Sequence, residues 1–118
     1  MEQKTIFMRI YKQLFDNGIE VYSPAQKPGE CMEPYVVVKN TGTMIVPGFS
    51  TTRTLYDVMC YVPKDRYTEL ESYVDRIKDI MKGLYPMLVP TYFETPSFYD
   101  DTVHAHMSSI QYRNLKKI

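Results

Sequence analysis

The sequence predicts an α+β fold, a single domain over residues 1–118 in which two amphipathic helices pack against a mainly antiparallel or mixed β-sheet. Three observations carry this expectation. Two segments space their apolar residues at helical steps of three and four. Several others are extended, rich in β-branched residues or alternating in polarity. The two helical segments stand apart from one another instead of alternating regularly with the strands.

The first helix is expected over residues 2–16, where Ile6, Phe7, Ile10, Tyr11, Leu14 and Phe15 make one wide apolar stripe. Asn17-Gly18 stops it, because glycine takes the left-handed conformation of a helix end without a Cβ penalty. A short strand follows at 19–22, then turn chemistry with two prolines and a glycine at 23–30. Residues 34–39 read as a strand whose Val36-Val37-Val38 run suggests burial on both faces, broken by Asn40-Thr41-Gly42-Thr43. Residues 55–62 form a longer strand with Tyr56, Val58, Cys60 and Val62 on one face, closed by Pro63.

Asp65 is positioned to cap the second helix, whose stripe is Tyr67, Leu70, Val74, Ile77, Met81 and Leu84. Asp75 with Lys78 and Asp79 with Lys82 are i,i+3 charge pairs on the other side, and Gly83 and Pro86 end the helix. A further strand is expected around 87–92, and a last one over 103–113. In the last strand His104, His106, Ser108, Ile110 and Tyr112 share a face, with Val103, Ala105, Met107, Ser109 and Gln111 on the other.

Composition excludes several function classes. Lys plus Arg number 14 and Asp plus Glu number 14, a zero net charge that argues against tight non-specific nucleic-acid binding and against a polybasic membrane role. Two cysteines, Cys31 and Cys60, make neither a disulfide framework nor a zinc spacing. No apolar run approaches the roughly 18 residues of a membrane span, and the start of the chain does not read as a signal peptide. A small cytosolic domain is expected.

The search for chemistry finds no phosphate loop, nucleophile elbow or metalloprotease helix. The best enzymatic candidate is Asp100-Asp101-Thr102-Val103-His104-Ala105-His106, whose histidines would stand about 7 Å apart on one strand face and could ligate a divalent metal. No third ligand stands at a fixed spacing, so no metal site, catalytic residue or cofactor is assigned. Cys60 reads as a small core residue, Cys31 as an exposed loop residue without an activating neighbour, and Asp57 as solvent-facing or inter-subunit. The basic tail of Arg113, Lys116 and Lys117 reads as a solvated end.

Two segments are too apolar for surface loops. One is Thr43-Met44-Ile45-Val46-Pro47-Gly48-Phe49-Ser50; the other runs over 86–101 and holds Tyr92, Phe93, Phe98 and Tyr99 without helical or strand periodicity. Exposed apolar patches mark interaction surfaces. Met44, Ile45, Val46, Pro47, Gly48, Phe49, Tyr92, Phe93, Phe98 and Tyr99 are therefore the candidate interface residues; the alternative is that Met44-Ile45-Val46 forms an edge strand and the aromatics cap the sheet.

Pro47-Gly48-Phe49-Ser50 followed by Leu55-Tyr56-Asp57-Val58-Met59-Cys60-Tyr61-Val62-Pro63 resembles the small neck proteins of long-tailed bacteriophages and prophages, the tail completion or tail terminator group. So does Thr95-Pro96-Ser97-Phe98-Tyr99-Asp100-Asp101, running on through His104-Ala105-His106-Met107-Ser108-Ser109-Ile110-Gln111-Tyr112-Arg113-Asn114. The resemblance extends over nearly the whole chain and brings no active-site residues. It implies a non-enzymatic virion protein, assembled in the bacterial host cytoplasm. Such a protein caps the head-proximal end of the tail tube, stops its polymerisation and mediates head–tail joining. A six-membered ring is implied, with the major tail tube protein and a head connector protein as partners and DNA passing through without specific binding. A head-side stopper that closes the portal after packaging is the alternative.

Overall fold

The computed structural model describes residues 5–27 and 29–117. The chain runs through α1 (Ile6–Asp16), β1 (Val21–Tyr22), β2 (Tyr35–Ile45), β3 (Thr51–Pro63), α2 (Leu70–Met81), β4 (Val89–Glu94), β5 (Phe98–Asp100) and β6 (Ala105–Lys117). Short 3₁₀ turns, Tyr67–Glu69 and Lys82–Leu84, flank α2. The strands form one sheet in the order β1-β2-β3-β6-β4, with β5 also paired to β6. Only the β1–β2 pair is parallel, so the sheet is mixed and mainly antiparallel, and the α+β expectation holds.

The apolar stripes drive the packing. Ile10 and Leu14 of α1 and Leu70, Val74, Ile77 and Met81 of α2 are buried against Val36, Val38, Tyr56, Val58, Cys60, Val62, Ile110 and Tyr112. In the β3–β6 register Tyr56 faces Tyr112, Val58 faces Ile110 and Cys60 faces Ser108, so the alternation read in both strands delivers one apolar face to the helices. Both helices lie on that face. A smaller cluster on the opposite face, at one end only, holds Cys31, Tyr35 and Ala105 with Tyr22, Val37, Tyr61 and Val103 packed against them, and Tyr35 is stacked on Tyr61 at 4.8 Å. Among the described residues that face carries no helix.

Helix ends differ in how they are closed. Thr5 stands outside α1 in extended conformation, and its hydroxyl oxygen accepts the Met8 N–H at 3.1 Å. The expected helical residues 2–4 lie outside the described residues. Gly18, at φ +80°, supplies the expected stop. Thr5→Ala is expected to cost about 1 kcal/mol, readable in the urea midpoint, because one orphan N–H of the first turn loses its acceptor.

Asp65 does not cap the second helix. The chain leaves β3 through a turn in which the Arg66 N–H donates to the Pro63 carbonyl at 2.9 Å, then makes a 3₁₀ turn. Glu69 occupies the cap position of α2 without a side-chain cap bond. Tyr67 accordingly falls off the core stripe: it is exposed, its ring packs on His106 and its hydroxyl meets Ser97 Oγ at 3.0 Å. Of the two expected charge pairs, Asp79–Lys82 forms at 3.2 Å, whereas Lys78 reaches across to Glu94 at 2.8 Å.

Candidate assembly interface

The break read at 40–43 is a bulge, and β2 continues through it to Ile45. Asn40 Oδ1 accepts the Gly42 N–H at 2.8 Å, and Gly42 takes φ +126°, a backbone value that L side chains rarely adopt. The extra residue flips the alternation, so Met44 lands on the sheet face away from the helices, opposite Arg53. The first apolar segment is therefore the end of a hairpin arm, with Met44 and Ile45 in the strand that is the alternative to a loop. Its close is short: the Val46 N–H donates to the Thr51 carbonyl at 2.9 Å and the Phe49 N–H to the Val46 carbonyl at 3.1 Å. Met44, Ile45 and Phe49 are exposed there, the last at 69%.

The second apolar segment is not irregular either. Both β4 and β5 pair with β6, and β4 extends to Glu94, beyond the expected 87–92. Aperiodicity in the sequence comes from a register shift between Pro90 and Glu94. Within it Tyr92 takes φ +64° and is 85% exposed. A left-handed backbone at an aromatic residue is a strained state that surroundings must hold. Thr91 Oγ1 helps to hold it, donating to Gln111 Oε1 at 2.9 Å and accepting the Phe93 N–H at 3.2 Å. After β4, Thr95 ties the chain back to Ser108 and Ser109. Phe98 and Tyr99 then pair opposite Met107 and His106.

The two segments come nearest where Val89, at the start of β4, pairs with Arg113, and diverge from there toward β5. Thr51, beside the turn at the tip of the arm, pairs with Lys117, whereas Phe98 pairs with Met107. Ten residues of strand separate those positions, about 34 Å. The chain thus offers two apolar surfaces, one at the arm and one along the β4–β5 edge. Sequence reading missed the neighbours that complete them. Leu115, opposite Arg53, joins the arm; Tyr85 joins the edge, where it lines a pocket of about 520 Å³ with Met81, Leu88, Tyr92, Phe93, Ile110 and Tyr112. The Leu84-Tyr85-Pro86 sequence, an aromatic at a helix end before proline, was the available signal.

The two histidines do not share a strand face. His104 lies in the turn before β6 with φ +50°, and only His106 is in the strand. His104 Nδ1 meets the Tyr99 hydroxyl at 3.2 Å and Nε2 lies 3.6 Å from Glu30, while His106 Nε2 meets the Lys64 carbonyl at 3.1 Å. Asp100 accepts from Thr102 instead of turning toward either ring, while an Asp101 carboxylate oxygen lies 3.9 Å from His104 Nδ1. Among the described residues no three His, Cys, Asp or Glu side chains gather as a metal site.

Cys31 is buried, not exposed, because it packs with Tyr35 and Ala105 and its N–H donates to the Val103 carbonyl at 2.8 Å. Burial pushes its thiol up to about 11, and that of the fully buried Cys60 up to about 12. Two outcomes are expected. Alkylation of the native chain near neutral pH is slow and becomes fast in denaturant. Stability also falls as pH rises above the ordinary thiol value of 9.0, since the unfolded chain releases protons that the folded chain still holds. Comparing urea midpoints at neutral pH and at about pH 10 reads this slope. A midpoint unchanged between the two would contradict it.

No protein-family model matches the chain, and the curated proteins supply no match either.

Proposed function

We propose that the chain is a non-enzymatic structural protein of a phage virion, a tail terminator that caps the head-proximal end of the tail tube and joins it to the head. The observation that carries this reading is the contrast between a closed core and large apolar side chains held outward at two separate places. Met44, Ile45 and Phe49 stand out on the arm, and Tyr85, Tyr92, Phe93, Phe98 and Tyr99 along the opposite edge. Surfaces of this kind are characteristic of chains that complete themselves on partners. The resemblance of residues 47–63 and 95–114 to neck proteins gives the partners their identity: the major tail tube protein, a head connector protein and further copies of this chain.

Two different patches suit a ring, because a cyclic assembly joins one patch to a different one on the next copy. A hexamer is the ring proposed, sited in the virion neck and assembled in the host cytoplasm. Zero net charge is compatible with DNA passing through such a ring without being gripped. Among the described residues no helix is long and apolar enough to cross a membrane.

The test is joining in vitro. Virus lacking the protein should yield filled heads and unjoined tails of irregular length, and the purified chain should restore joining. Normal joining without it overturns the proposal. Retention of the chain on filled heads and not on tails would instead identify a head-side stopper.

A further inference from the structure

Arg53 and Arg113 are two charged groups of the arm that have no counter-charge among the described residues and, unlike the lysines there, are partly shut off from solvent. In the β3–β6 register Arg53 faces Leu115 and Leu55 faces Arg113, which makes the two arginines diagonal neighbours on the helix-free face, about 7 Å apart. Both line one concavity of about 290 Å³ with Val46, Phe49 and Leu115. Neither makes an ion pair among the described residues, and the Nε of each is shut off from solvent with no hydrogen-bond partner. Desolvated donors without acceptors are uncommon in native proteins and call for an explanation. Arg53 Nη2 has only the Met44 sulfur, at 2.8 Å.

The chemical inverse of this surface lies at the other side of the molecule. A groove of about 370 Å³ beside α2 is lined by Tyr67, Leu70 and Val74 together with Glu71 and Asp75. It shares the Lys78–Glu94 ion pair as a wall with the 520 Å³ apolar pocket at the β4 edge. Glu71 and Asp75 are exposed, lie one helical turn apart on α2 and make no ion pair among the described residues. Charge is segregated on a larger scale as well. Residues 39–55 and 111–117 contain five basic and no acidic residues, whereas 64–75 contain four acidic and two basic ones.

We infer that the β2–β3 arm of one copy seats head to tail in the groove between α2 and the β4–β5 edge of a second copy, with Arg53 and Arg113 facing its Glu71 and Asp75. This rests on the ring reading above and names the contact that builds the ring. The exposed rings of Tyr67, Tyr85, Tyr92 and Phe93 alone offer about 500 Å², more than half of the roughly 800 Å² that each partner gives to a standard interface. A nucleic acid suits the arm less well, since Val46, Phe49 and Leu115 flank the guanidinium groups and gain nothing from a phosphate backbone. The arm and the groove do not overlap, so one copy can use both at once, as a heterologous contact demands.

The experiment is a charge reversal with rescue, read as self-association of the free chain by sedimentation and as copies retained per isolated tail. Arg53→Glu, and separately Glu71→Arg with Asp75→Arg, should each weaken association by about tenfold or more. The chain carrying all three substitutions should recover most of that loss. Arg113→Glu repeats the test on the neighbouring strand, and circular dichroism confirms that each variant is folded. Absence of rescue in folded variants overturns the inference. So does an Arg53→Glu chain that associates normally but no longer retains a DNA duplex, because the arginines would then serve phosphates. If the wild-type chain joins heads to tails and every variant joins equally well, this contact falls and the ring reading stands. If the wild-type chain neither associates nor joins, both fall.

Discussion

A chain carrying Ile45→Asp and Phe49→Asp is expected to fold as the wild type does and to join no tails. Both side chains are mostly exposed, at 64% and 69%, and neither belongs to a core cluster. Surface substitutions of this kind ordinarily change stability by no more than about 0.5 kcal/mol. Strand propensity adds a small further cost at Ile45, the last residue of β2. Seated on a partner, Ile45→Asp would bring a carboxylate into an apolar contact, while Phe49→Asp would set one beside Arg53 and Arg113 and take up the charge they offer to a partner. Burying an unpaired charge costs at least several kcal/mol, enough to lower occupancy of the joint by more than a hundredfold. Thermal unfolding and the joining assay, run on one preparation, separate the two effects. Wild-type joining by this variant would show that the arm is not a docking element.

What the sequence makes legible is what short-range periodicity encodes. Leu70, Val74, Ile77 and Met81 are buried together, as steps of four, three and four require, and Tyr56, Val58, Cys60 and Val62 alternate into the same core. The misreadings fall where a local signal has two structural solutions. Asn40-Thr41-Gly42 has the composition of a strand end and also of a bulge; continued pairing with β3, from Tyr35–Tyr61 on to Ile45–Thr52, selects the bulge. Residues 89–100 lack alternation because the side chains that would mark an inner face are held outward and the register slips once, so pairing with β6 alone makes them strands. Cys31 is buried by a contact to residue 103, far along the chain, which no local pattern reports. All ten candidate interface residues lie at the arm or along the edge. That they form two surfaces and not one follows from the β6 register, which only the folded sheet supplies.

Ile77→Ala is expected to cost about 3 kcal/mol, a large share of the roughly 5–15 kcal/mol that holds a domain of this size together. Ile77 is fully buried at the centre of the α2 stripe, in the cluster that contains Ile10 and Leu14 of α1 and the inner face of the sheet. Alanine restores about 0.4 kcal/mol of helix propensity, far too little to offset the lost apolar transfer and the cavity left behind. The cavity cannot close cheaply. Its floor is a sheet whose central strands β3 and β6 are paired without interruption from Thr51–Lys117 to Pro63–Ala105, and Gln13 of α1 ties the other helix to α2 by donating to the Ile80 carbonyl at 2.9 Å. Ile80→Ala, one turn on and only half-buried, is the internal comparison and should cost about 1 kcal/mol. Urea unfolding of the two variants reads the difference directly. Equal losses would mean that α2 does not dock through the Leu70, Val74, Ile77 and Met81 stripe. The groove wall that carries Glu71 and Asp75 would then not be held by the core, since the same helix supplies both faces.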